Sequence, residues 1–124
     1  MEPIKIDGTL ETPRVIFDKE NNYFEISGRS LPEDAIKFYL PVFQWLDRYV
    51  EQPNEKTEMV CKFDYFNTIS SKAILDIFER LEKIHKKGLS VQVNWYHLEA
   101  DTEMKEAGRK FENLVKVPFN FVIY

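Results

Sequence analysis

The stretch Tyr65-Phe66-Asn67-Thr68-Ile69-Ser70-Ser71-Lys72-Ala73-Ile74-Leu75-Asp76 holds the residues best suited to chemistry. A strand pattern ends, a hydroxyl-rich turn follows, and a helical pattern begins. The first turn of a helix presents amide N–H groups without intrahelical acceptors, and the macrodipole adds about half a positive charge there. Lys72, one turn further in, adds a full charge. The chemistry this suits is holding an anion, and a phosphate esterified to Thr68 gains those contacts at little structural cost. Asn67, Thr68, Ser70 and Ser71 are also good N-cap residues, and capping is the commoner reason for such residues at a helix start. Local chemistry leaves both roles open.

The remaining reactive groups are scattered. His85 falls in the last turn of a helical pattern, where the dipole favours a cation. His97-Leu98-Glu99-Ala100-Asp101 alternates polar side chains, but no complete metal-ligand set has familiar spacing, so a solvated loop capping the next helix is expected. Cys61 alternates with Met59 and Phe63, as an inert core thiol does. Trp95-Tyr96 is expected to fill the core at a strand end rather than to form a ligand platform. No glycine-rich phosphate loop and no nucleophile elbow is present. Neither a catalytic residue, a metal nor a cofactor is expected.

The 124 residues suffice for one domain and are too few for two with separate cores. Hydrophobic residues at 44% and aromatics at 15% can fill that core. The net charge of −4 repels phosphate backbones and anionic lipid surfaces, so neither nucleic acid nor membrane is an expected partner. One cysteine cannot form an internal disulfide, the first residues show no basic leader, and no stretch is long and apolar enough to span a bilayer. A cytoplasmic protein is expected.

The elements that must position the turn follow from periodicity. Short strands are expected at Ile4 to Ile6, Arg14 to Asp18 and Tyr23 to Gly28, with the polar loop Asp18 to Asn22 making a hairpin. Ser30-Leu31-Pro32-Glu33 predicts a helix start, with Ser30 as cap, and the helix runs to about Val50. Its apolar stripe is Ile36, Tyr39, Leu40, Phe43, Leu46 and Val50, with a second set at Phe38, Val42, Trp45 and Tyr49. Such a wide face is either sandwiched between neighbours or offers its outer half to a partner. Pro41 is expected to bend this helix. Thr57 to Phe66 predicts a strand with Met59, Cys61, Phe63 and Tyr65 on one face. A helix over Ser70 to Lys87, a strand over Ser90 to Tyr96, a helix over Thr102 to Val115 and a strand from Phe119 to Tyr124 complete the chain. Most strands alternate apolar and polar residues, as strands do when one sheet face is wet. The expected class is α/β, a mixed sheet with about three helices packed mainly on one face.

Three segments in order and spacing resemble one family. Gly8-Thr9-Leu10-Glu11-Thr12-Pro13 matches G-T-x-x-T-P, and Asn67-Thr68 through Lys72-Ala73 to Asp76-Ile77 matches N-T-S-S-x-K-A-x-x-D-I. Trp95, Phe111 and Pro118-Phe119 match the closing part. These resemble the SiaC family of bacterial regulatory phosphoproteins, which is similar to the anti-sigma-factor antagonist (STAS) fold. The resemblance covers essentially the whole chain, as a single domain over residues 1–124, and implies a STAS-like sheet. It places the phosphorylated threonine at Thr68, with Asn67, Ser70, Ser71 and Lys72 around it. Ile69 departs from the family's frequent serine, leaving the acceptor intact and Ser70 as a reserve.

The resemblance further implies partner switching. A cognate serine/threonine kinase adds the phosphate, a PP2C-type phosphatase removes it, and the unphosphorylated form binds and activates a diguanylate cyclase or another effector protein. The alternative is a constitutive binding or scaffold module in which Thr68 only caps its helix. A small enzyme is a third reading that would need a pocket of convergent polar groups.

Overall fold

A computed structural model describes residues 1–124 throughout. Strands β1 (Ile4–Ile6), β2 (Arg14–Asp18) and β3 (Tyr23–Ser30) form an antiparallel meander. Asn22, at φ 51°, supplies the left-handed residue that closes the β2–β3 hairpin. From β3 onward the chain alternates through α1 (Ala35–Tyr49), β4 (Lys56–Phe66), α2 (Thr68–Lys86), β5 (Ser90–His97), α3 (Thr102–Leu114) and β6 (Phe119–Ile123). Strands β3 to β6 pair in parallel, and the order across the sheet is the order in sequence. Each crossover thus steps one strand in the same direction. Right-handed connections then deliver every helix to the same face.

The other face stays open, which explains the alternation. Val15, Phe17, Phe24, Ile26, Met59, Cys61, Phe63, Val91, Val93 and Trp95 lie buried beneath the helices. Between them Glu25, Ser27, Lys62, Gln92 and Asn94 occupy the open face, where Gln92 Nε2 donates to Asn94 Oδ1 at 2.6 Å and Lys62 Nζ lies 4.3 Å from the Tyr124 ring centre. One continuous apolar core runs from Val15 to Val117. The expected mixed sheet with its helices on one face is the observed class.

Three local expectations are corrected. β3 continues to Ser30, and α1 begins only after Asp34, whose carboxylate accepts from the Lys37 N–H at 3.1 Å. Ser30 is therefore not a cap: it pairs with Phe66 in the sheet, and Pro32 holds the preceding Leu31 out of helical conformation. The buried stripe of α1 is Ala35, Tyr39, Val42, Trp45, Leu46 and Tyr49, while Ile36 and Leu40 are exposed. The helix passes through Pro41 on its exposed side, where the Lys37 carbonyl that loses its donor also lies. Tyr65 is exposed as well. A register shift against β3, from Gly28↔Phe63 to Arg29↔Tyr65, inserts Asp64 as an extra residue. Beyond it the faces exchange, so Phe66 turns inward to rest 5.3 Å from Phe63 between ring centres.

Gly108 marks the closest approach of α3 to the sheet. A Cβ there would sit 2.6 Å from Trp95 Cδ1 and 2.7 Å from Phe121 Cε2. Gly108→Ala gains about 1 kcal/mol of helix propensity. It also forces a fully buried indole to move, at about 1–3 kcal/mol. A net loss of stability is expected from urea unfolding. A stabilised variant would show that α3 can lift off the sheet without cost.

Candidate functional site

Four segments meet at the end of the sheet where β3 and β4 stop. Asn67, at φ −88° and ψ 176°, is the N-cap of α2, and its Oδ1 accepts from the Ser70 N–H at 2.9 Å. Its carbonyl accepts from Ser71 N–H at 2.9 Å. Two of the early amides are thereby satisfied. Those of Thr68 and Ile69, the first two helical residues, have no acceptor in the chain. Thr68 is exposed, and its hydroxyl makes no hydrogen bond within the protein. Lys72 is four residues on, also exposed, so its ammonium shares a helix face with Thr68.

Ser70 does not fit the reserve role. It is 0% exposed, and its Oγ accepts from Ser30 Oγ at 2.8 Å. No enzyme reaches that hydroxyl, because period 3.6 turns it inward with Ala73 and Ile74. Ser71 is half-buried. It lines a groove between α2 and α3 with Phe66, Ala107, Phe111 and Leu114. The five expected residues therefore divide. Asn67 caps, Ser70 is locked below, Ser71 faces the groove, and Thr68 and Lys72 face solvent.

The Gly8–Pro13 segment is brought to the same end. Thr9 Oγ1 accepts from Glu11 N–H and Thr12 N–H at 3.2 and 2.9 Å and shares a 2.7 Å hydrogen bond with Thr12 Oγ1. This local turn is pinned from outside: Leu31 N–H donates to the Glu11 carbonyl at 2.8 Å, and Arg29 Nε donates to the Leu10 carbonyl at 3.1 Å. The Arg29 guanidinium also stands 5.6 Å from the Tyr65 ring centre. Leu10 and Ile69 are 84% and 62% exposed, and Tyr65 is nearly half exposed, so the end of the sheet that carries Thr68 also bears apolar side chains facing water. Periodicity gave no hint of this convergence, since nothing in the sequence ties Arg29 to Leu10.

Ser30 and Tyr39 are the polar residues that sequence reasoning missed. Both are fully buried, and Tyr39 Oη lies 2.6 Å from Ser30 Oγ. Burial pushes the Tyr39 phenol up to about 12, so it stays protonated, although the hydrogen bond with Ser30 pulls the other way. The signal was present: alternation along β3 from Phe24 and Ile26 puts Ser30 on the core face.

Elsewhere the reactive groups are occupied or inert. Burial pushes the Cys61 thiol up, away from the thiolate a nucleophile needs. His97 is buried rather than in a loop, with Nδ1 2.9 Å from the Leu98 carbonyl, and Asp101 caps α3 by accepting from Met104 N–H at 3.0 Å. His85 is exposed near the end of α2. No three His, Cys, Asp or Glu side chains come together as a metal site, and no helix is long and apolar enough to cross a membrane.

Asn67→Ala tests the cap. It removes the acceptor for Ser70 N–H and is expected to cost about 1 kcal/mol in urea unfolding. A loss near zero would mean that water replaces the side chain fully.

Comparison with known proteins gives a consistent result. Residues 6–124 match the family described as SiaC family regulatory phosphoprotein. An uncharacterized protein of Pseudomonas aeruginosa strain UCBPP-PA14 is 28% identical over 119 residues, covering 96% of this chain and 94% of that protein. Apo-SiaC from Pseudomonas aeruginosa is similar in structure at a TM-score of 0.87 and 27% identity, covering 98% of this chain and 99% of its own. The crystal structure of the diguanylate cyclase SiaD in complex with its activator SiaC, also from Pseudomonas aeruginosa, matches at a TM-score of 0.89 and 26% identity, with 98% and 99% coverage.

Proposed function

We propose, from the premise that the chain belongs to the SiaC family of regulatory phosphoproteins, that it is a phosphorylation-controlled partner switch. Residues 1–124 act as one regulatory domain in the cytoplasm. A protein kinase phosphorylates Thr68, a PP2C-type phosphatase reverses it, and the unphosphorylated form binds and activates a diguanylate cyclase. The chain is then a substrate and a ligand, not a catalyst.

The observation that carries this reading is the setting of Thr68. Its hydroxyl is exposed at the first position of α2, beside two amides without acceptors and on the same face as Lys72. A phosphoester there meets a favourable helix end, so the fold accommodates it. The surrounding Leu10, Tyr65 and Ile69 suit a surface that a protein covers. The similarity to the SiaC that activates a cyclase supports a cyclase as the effector.

Thr68→Ala is expected to abolish phosphate incorporation by the cognate kinase while leaving the circular dichroism spectrum unchanged. Ala loses no hydrogen bond here, because the cap is supplied by Asn67. Full incorporation into the variant would move the acceptor to another residue, and with Ser70 buried the one remaining hydroxyl of this turn is the half-buried Ser71.

A further inference from the structure

Three hydroxyls from three elements form a linear hydrogen-bonded chain beside the start of α2. Ser30 Oγ donates to Ser70 Oγ at 2.8 Å. A serine hydroxyl has one proton, so in the 2.6 Å contact with Ser30 the donor is Tyr39. The order is Tyr39 of α1 to Ser30 of β3 to Ser70 of α2, and all three are 0% exposed. Ser30 holds the turn a second time through its backbone, since its carbonyl accepts from Asn67 N–H at 3.1 Å. Asn67 Oδ1 in turn accepts from Ser70 N–H. Ser30 thus grips the residues on both sides of Thr68–Ile69.

We infer that Ser30 and Tyr39 are positioning residues for the Thr68 hydroxyl, an inference that rests on Thr68 being the phosphoacceptor. The chain fixes where the first turn of α2 starts relative to β3 and α1. A kinase must bring that hydroxyl within about 3–3.5 Å of a phosphorus atom in line with its leaving group, and loss of such alignment by about 1 Å costs up to a hundredfold in rate. A helix start secured only by its own cap frays. One tied to the sheet at both flanks does not. Stability alone is a weak reason for the trio, because apolar residues of similar shape at all three positions leave no orphaned group and are nearly neutral. A buried network in which every hydroxyl has a partner, in contrast, favours one arrangement of the elements it joins.

The test uses the full chain and the kinase activity of its native cells, enriched by action on the wild-type protein. Tyr39→Phe removes the head of the chain. The triple variant Tyr39→Phe, Ser30→Ala, Ser70→Ala removes all of it without leaving a buried hydroxyl unpaired. Urea unfolding establishes that each is folded under assay conditions. The triple variant is expected to show kcat for Thr68 phosphorylation reduced roughly ten- to a hundredfold at unchanged KM, with a smaller fall for Tyr39→Phe. Amide exchange of residues 67–71 is expected to accelerate in the same order. A kcat within twofold of wild type, or a fall lying wholly in KM, overturns the positioning role and leaves Thr68 as acceptor. A wild-type chain that takes up no phosphate on Thr68 overturns the acceptor reading itself.

Discussion

A phosphate on Thr68 is expected to lower affinity for the effector by about two to four decades. The modification adds about −1.5 to −2 charges at pH 7. In the free protein these face water and the first-turn amides, so the cost is small. In a complex that covers Leu10, Tyr65 and Ile69, the phosphate is taken from water with them. Leaving such a charge buried without a partner costs about 3–5 kcal/mol, and roughly 1.4 kcal/mol is one decade. Lys72, four residues on, offsets part of this but is itself solvated. The fold need not change, since an anion at a helix N-terminus is favourable. Titrating the effector with phosphorylated and unphosphorylated chain checks the sign. Tighter binding of the phosphorylated form would mean that the effector meets the phosphate with its own cations and the switch runs in reverse, and equal binding would mean that this position does not switch the interaction.

Trp95→Ala is expected to cost about 3–5 kcal/mol. The indole is fully buried, and its Nε1–H donates to the Met104 carbonyl at 2.9 Å, joining β5 to the first turn of α3. Its ring centre lies 5.6 Å from Phe111, 5.9 Å from Phe63 and 6.2 Å from Phe66. Removing it opens a cavity that a sheet and a helix cannot close, and it takes the indole donor away from the Met104 carbonyl. Phe66 immediately precedes Asn67, so the turn that starts α2 loses packing support from below. Urea unfolding should show a lower midpoint at an unchanged slope, together with faster amide exchange at residues 67–71. A loss below about 1 kcal/mol would show that the aromatic cluster collapses into the space, and the turn would then not depend on it.

How much of this was legible in the sequence depended on the range of the interaction concerned. Alternation in β4 and β5 reported one wet sheet face, and a wet face with parallel strands already implies helices on the other side. The helix-start residues around Thr68 were legible because capping is local. The choice of cap among them was not: Asn67 caps, so α2 begins at Thr68 rather than Ser70. Tyr65 was misplaced because a bulge at Asp64 depends on the partner strand, which strict alternation ignores. The stripe of α1 was shifted because Ile36 and Leu40 are as apolar as the residues that are buried, and only the neighbouring sheet decides between them. Ser30 was read as a cap although alternation along β3 puts it on the core face; what the sequence could not show is what it bonds to. Its hydroxyl has two partners, Tyr39 and Ser70, that are nine and forty residues away.

The most direct test is to isolate the chain from its native cells under several growth conditions, measure its intact mass and map any modification by fragmentation. A species about 80 Da heavier, the increment of one phosphoryl group, is expected with the added mass on Thr68 and nowhere else. An unmodified chain under every condition, or a phosphate confined to another residue, would contradict the account.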